Sequence, residues 1–198
     1  KQLQKFLSRS RADQVGNTNL TLLYGPYGTG KSHALLWGMH WLKRLTEGGV
    51  SAAYYIPTLK KDKGRLSFAG AFSDDLIAKT SLINDALQYR TFLSRCMAQF
   101  EAETKDAQGV TNDEIISRLI PAVELHNFAR DLYRQETAEG MRPFLAPRGQ
   151  TDYQAMVAFT RIANLFVYDM KFSNDARRFR QSVHLMIDEL DVLVQAST

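Results

Sequence analysis

Apolar residues recur along this chain in two rhythms. Three short uninterrupted runs sit between turn signals, as buried strands do. They are Leu20–Tyr24, after the turn residues Gly16-Asn17-Thr18-Asn19, then Val50–Ile56, closed by Pro57, and Val183–Ile187, which runs into Asp188-Glu189. Elsewhere the spacing is three or four, the helical period. Residues 2–12 read as a short helix or a lead-in segment, with Leu3, Phe6 and Leu7 apolar. A helix runs from Lys31 to about Glu47 on Leu35, Leu36, Met39, Leu42 and Leu45, with Trp41 off the stripe, and Gly48-Gly49 ends it. A long helix capped by Ser73 or Asp74 carries Leu76, Ile83, Leu87, Leu93, Met97 and Phe100. Thr111-Asn112-Asp113-Glu114 is a capping box ahead of Ile115, Ile116 and Leu119. Pro121 kinks or restarts that helix, which continues on Val123, Leu125, Phe128, Leu132 and Tyr133. Met141–Gln150 holds two prolines and a glycine and is expected to be a loop. Thr151-Asp152-Tyr153-Gln154 is a second capping box, before Met156, Phe159, Ile162, Ala163, Phe166 and Met170. Stripes of this kind are expected to be packed core.

Strands in this order, separated by helical pattern, indicate an α/β fold with a parallel sheet. The chain has 198 residues, 44% hydrophobic and 23% charged, an ordinary globular composition that excludes long disorder. No apolar stretch approaches the roughly 20 residues of a membrane helix, and no signal-peptide pattern opens the chain. The single cysteine, Cys96, excludes an internal disulfide and a cysteine-based zinc site. The expected location is cytoplasmic, with no membrane partner. A net charge of +4 permits a polyanionic ligand without requiring one. The four histidines, His33, His40, His126 and His184, lack metal-ligand spacing.

Chemistry concentrates in two places. Gly25-Pro26-Tyr27-Gly28-Thr29-Gly30-Lys31-Ser32 fills every fixed position of G-x-x-x-x-G-K-[ST], between an apolar strand and an amphipathic helix. Glycines there let backbone N–H groups turn around an anion, and the positive end of the helix faces the same point. Lys31 is expected to reach the β- and γ-phosphates of ATP, and the Ser32 hydroxyl to hold Mg²⁺, with His33 alongside. The second place is the end of the Val183–Ile187 strand, where open α/β sheets bind ligands. Asp188 is expected to face the Mg²⁺ opposite Ser32, and Glu189 to act as general base on the attacking water. Asp191 either orients Glu189 or occupies the first turn of a following helix. The basic clusters Lys60-Lys61-Asp62-Lys63-Gly64-Arg65 and Arg177-Arg178-Phe179-Arg180 are candidates for nucleic-acid contact, set against the plainer reading of a solvated face.

Tyr24 to Ser32 together with Ile187-Asp188-Glu189-Leu190-Asp191 resembles an AAA+ ATPase, and within it the origin-recognition-type branch and its bacterial defence relatives. The likeness covers about residues 15–58 and 183–194. STAND-type and KAP-type signalling NTPases share similar elements, so a nucleotide-dependent switch with slow hydrolysis is the alternative reading. The resemblance implies a P-loop NTPase sheet, ATP and Mg²⁺ as ligands, a homo-oligomer, and a protein or nucleic-acid partner. The second strand ends near Thr58 and the third starts at Val183, roughly 125 residues later, where a strand–crossover–strand unit takes about 30. The expected organisation is therefore a core part over 1–58, a mainly helical insertion over 59–182, and a strand with the start of a helix over 183–198. Phe68, Phe72 and Phe144 are expected to form an interface on that insertion. In the layout that the motifs resemble, a further strand lies between the phosphate-loop strand and the Asp188 strand. With three strands present, the core is expected to be partial and the chain to be a fragment.

Overall fold

The computed structural model describes residues 22–44, 51–57, 61–62, 65–66, 76–104, 109–147, 149–172 and 175–189. Helix α1 (Lys31–Arg44) follows the glycine-rich loop. Strand β1 (Ser51–Ile56) comes next, then a small antiparallel pair, β2 (Lys61–Asp62) and β3 (Arg65–Leu66), within the first basic cluster. Five helices follow: the single turn α2 (Leu76–Lys79), α3 (Leu82–Glu103), α4 (Asn112–Leu119), α5 (Val123–Tyr133) and α6 (Ala138–Leu145). Helix α7 (Asp152–Phe166) leads to the hairpin of β4 (Met170–Phe172) and β5 (Asp175–Arg177), and the described chain closes with β6 (Ser182–Ile187). Among the described residues, no helix is long and apolar enough to cross a membrane.

The fold is α/β, and its central element is a parallel pair. β1 and β6 run side by side in register from Ser51 opposite Ser182 to Ile56 opposite Ile187. Alternate side chains divide between two layers, as the pleat requires. Ala53 and Met186 bury against Leu42 of α1, with Leu35, Met39, Trp41 and Tyr55 around them. Ala52, Tyr54 and Ile56 face the other way, into the core of the helical block, with Val183, Leu185 and Ile187 packed against it. Within that block α3 packs on α4, α5 and α6, while α7 bridges α5 and β6.

The helical reading of the middle of the chain holds in outline. Both capping boxes form. Thr111 Oγ1 accepts the Glu114 N–H while Glu114 accepts the Thr111 N–H at 2.9 Å, and Thr151 and Gln154 repeat the exchange. Pro121 restarts rather than kinks, separating α4 from α5. The expected long helix is broken at Thr80-Ser81, where the Thr80 hydroxyl bonds the Leu76 carbonyl and also accepts the Leu82 N–H, diverting backbone groups from a continuous helix. Its expected caps, Ser73 and Asp74, lie outside the described residues.

Four expectations need correction. Leu22–Tyr24 is not strand: β1 and β6 pair with each other, the described part of this segment joins neither, and Leu22 and Tyr24 are exposed. Leu20 and Thr21 lie outside the described residues. The expected loop from Met141 to Gln150 instead begins in helix α6, capped by Thr137 at the Gly140 N–H. Pro143 removes only one backbone bond from so short a helix, while Met141 and Leu145, four apart, both bury in the core. Phe144 is not a free interface residue, because its ring stacks on Phe128 at 5.2 Å; Phe68 and Phe72 lie outside the described residues. Met170 does not continue α7, which ends at Phe166, and instead opens the β4–β5 hairpin with Met170 and Phe172 buried.

Candidate functional site

The glycine-rich loop closes on itself before α1 begins. Thr29 Oγ1 donates to the Pro26 carbonyl at 2.8 Å, with the Thr29 N–H directed at the same oxygen. Gly28 and Gly30 hold φ of 79° and 83°, a region that costs an L side chain roughly 1–2 kcal/mol, so glycine is required for this path. Around both, the space a Cβ would take is open. Lys31 Nζ lies back over the loop, donating to the carbonyls of Gly25 at 2.9 Å and Pro26 at 3.1 Å. No acidic residue occupies the first turn of α1, so its positive end is not neutralised by its own side chains. Tyr27 and His33 are exposed.

The parity of β6 carries Asp188 to the same place. His184 and Met186 point to the α1 layer, and Asp188 follows two residues on. Its N–H donates to the Ile56 carbonyl at 2.9 Å, extending the β1–β6 ladder by one rung. Asp188 is 7% exposed. It is held by the Ser32 hydroxyl, by Tyr55 OH at 2.8 Å on Oδ2, and by the Glu189 N–H at 2.9 Å on Oδ1. Burial pushes its pKa up, but the hydrogen bonds from Ser32, Tyr55 and Glu189 and the Lys31 charge outweigh that and hold it below the usual carboxylate range. Tyr55 answers in the opposite direction: burial, then the bond to Asp188 and the charges of Asp188 and Glu189, push its phenol up to about 12. Glu189 adopts φ 52°, a left-handed conformation that only this non-glycine residue takes among the described residues.

Ser32, 156 positions away in sequence, thus hydrogen-bonds Asp188 at the carboxyl end of a parallel strand pair, and the Lys31 charge acts on the same carboxylate. A hydroxyl touching a carboxylate is the oxygen-donor pair suited to a hard cation such as Mg²⁺. Lys31 presently satisfies two neutral carbonyls, partners that an incoming phosphate would outcompete. Among the described residues, no group of three His, Cys, Asp or Glu could hold a metal ion by itself. A cation here would need further oxygens from a bound nucleotide and water, and the donor set fits a nucleotide-borne Mg²⁺. Asp191 lies outside the described residues.

One residue of this site escaped sequence reasoning. Nothing in Ala52-Ala53-Tyr54-Tyr55-Ile56 distinguishes Tyr55 from Tyr54 until the register with β6 is known. In the second basic cluster, each arginine is paired with a carboxylate. Arg178 forms a two-pronged pair with Asp169, both contacts at 2.6 Å, Arg177 pairs with Asp175, and Arg180 pairs with Asp85. Phe179 is partly buried, packed edge-on against the core residues Tyr89 and Phe166 at 5.5 and 5.1 Å. Of the first cluster, Lys61, Asp62 and Arg65 lie in the β2–β3 pair, and the remainder falls outside the described residues. The chain matches no family model, no curated protein and no solved structure, so its own geometry carries the functional argument.

Proposed function

We propose that this chain binds and hydrolyses ATP with Mg²⁺, as an AAA+-type module acting in an oligomer on a protein or nucleic-acid partner. The observation that carries the reading is a complete phosphate-loop sequence leading into α1, with Asp188 fixed at the end of the parallel strand pair by Tyr55 and the Ile56 carbonyl, and with Ser32 and Lys31 lowering its pKa. β6 lies beside β1 and not beside the described part of the phosphate-loop segment, which agrees with the layout that the motifs resemble.

In this reading the nucleotide brings the phosphoanhydride bond and the cation brings charge neutralisation. The chain supplies position and electrostatics. Backbone N–H groups of residues 28–32 surround the phosphates, and the Lys31 ammonium leaves the Gly25 and Pro26 carbonyls to pair with them. Ser32 and Asp188 would hold the cation, which would supply charge neutralisation at the phosphates. Glu189, the next residue along, would accept a proton from the attacking water.

Phosphate release from ATP tests the reading. Wild-type chain should show Mg²⁺-dependent turnover, and Glu189→Gln should bind ATP while losing turnover by about 100-fold or more. Wild-type turnover in that variant would remove Glu189 from its role, and no release from wild type with binding retained would favour a nucleotide-dependent switch.

A further inference from the structure

Tyr55 stands at the meeting point of two constraints on Asp188. Its ring belongs to the layer between α1 and the strand pair, packed with Leu42, Ala53 and Met186. Its hydroxyl passes beyond that layer and donates to Asp188 Oδ2 at 2.8 Å. The neighbouring β1 residue, Ile56, accepts the Asp188 N–H at 2.9 Å. One strand therefore fixes both the backbone and the side chain of Asp188. With Oδ1 taken by the Glu189 N–H at 2.9 Å, the plane of the carboxylate is set from both oxygens. The Ser32 hydroxyl then meets a carboxylate that cannot rotate without breaking a bond.

We infer that Tyr55 is a positioning residue for the cation side of this site: it orients the Asp188 carboxylate toward Ser32 and so sets the Mg²⁺ dependence of nucleotide binding. The inference rests on the ATP reading above. Second partners of this kind fix the orientation of a ligand and commonly alter metal affinity by 10- to 100-fold when removed. A phenol does this without changing the charge at the site, since it donates a hydrogen bond and remains neutral. Tyr54, one residue earlier, supplies an internal control. It faces the opposite layer and donates to Asp85 at 2.9 Å, so the same loss of a hydroxyl there touches the helical block alone.

The experiment is equilibrium binding of a fluorescent ATP analogue to wild type, Tyr55→Phe and Tyr54→Phe, in EDTA and across a Mg²⁺ titration. Thermal melts without ligand accompany it. For Tyr55→Phe the half-saturating Mg²⁺ concentration should rise about tenfold, with binding in EDTA unchanged. Tyr54→Phe should lower the melting temperature and leave the Mg²⁺ midpoint in place. An unchanged midpoint in Tyr55→Phe overturns the inference while leaving the ATP reading intact. Equal losses with and without Mg²⁺, or an equal shift in Tyr54→Phe, overturn it as well, because the effect is then general damage to β1. Absence of nucleotide binding by wild type overturns the ATP reading and this inference together.

Discussion

Arg180 is the residue whose role differs most between sequence and structure, and its replacement by Met tests the difference. Its guanidinium lies 3.5 Å from Asp85 Oδ1, with both side chains 11% exposed. It also donates to Gln88 at 3.1 Å and stacks 3.9 Å from the centre of the Phe179 ring. Met keeps most of the apolar stem and removes the charge. Two unit charges at that separation attract by about 5 kcal/mol at an effective dielectric constant of 20, before desolvation is subtracted. Breaking one side of a buried pair costs about 3–5 kcal/mol, because the remaining charge stays behind. Here Asp85 retains donors from Tyr54 at 2.9 Å and Ser81 at 3.1 Å, which reduces the penalty. The expected loss is about 3 kcal/mol, a fall in melting temperature of roughly 6–12 °C for a chain of this size. Urea unfolding of Arg180→Met, Asp85→Asn and the double variant measures it. The double variant should be less destabilised than the sum of the two singles by more than about 1 kcal/mol. A loss below about 1 kcal/mol for Arg180→Met, with reduced binding to single-stranded nucleic acid, would refute the structural role and restore the basic cluster as a surface.

Three further outcomes follow from particular residues. His184, whose imidazole lies 2.9 Å from the Ser182 hydroxyl, has its pKa lowered by burial from 6.5 to about 4. The unfolded chain then binds the proton first, so stability is complete above about pH 6.5 and falls by up to about 3 kcal/mol as pH drops toward 4. His184→Gln should flatten that slope in urea midpoints, and parallel curves for the two proteins would contradict it. Glu189→Gly relieves the left-handed backbone at φ 52°. Unfolding should show a gain of about 0.5 kcal/mol, the relief being partly offset by glycine's entropy, together with loss of ATP turnover; a lower melting temperature would show the backbone there to be unstrained. Thr151→Ala removes one half of the α7 capping box and should cost about 1 kcal/mol in urea unfolding, whereas no loss would mean the cap is replaced by water.

What could be read from the chain beforehand depends on how local the information is. β1, β6 and the capped helices α4 and α7 are set by short apolar runs, turn residues and reciprocal caps within four positions, and these were legible. So was the glycine-rich turn ahead of α1, whose residues are contiguous. Tertiary packing overrode local signals elsewhere. Pro143 reads as a breaker, yet α6 forms because Met141 and Leu145 bury against α3. The Arg177–Arg180 run reads as solvent or phosphate chemistry because Asp85 lies 95 residues away in sequence. Tyr55 was illegible for the same reason. Only the register of β1 on β6 separates it from Tyr54 and places its hydroxyl on Asp188. Leu22 and Leu23 have strand composition, but a strand also needs a neighbour, and among the described residues they pair with neither β1 nor β6.

Calorimetric titration of ATP with Mg²⁺ into the wild-type chain and Lys31→Ala tests the central claim most directly. Lys31 donates to the Gly25 and Pro26 carbonyls of the glycine-rich loop, and its charge acts on Asp188. Wild type should bind a single equivalent of nucleotide, more tightly with Mg²⁺ than in EDTA, and Lys31→Ala should lose that binding while melting at a similar temperature. Equal affinity in the two proteins, or no heat from wild type, would contradict the assignment of residues 25–32 and Asp188 as a nucleotide site.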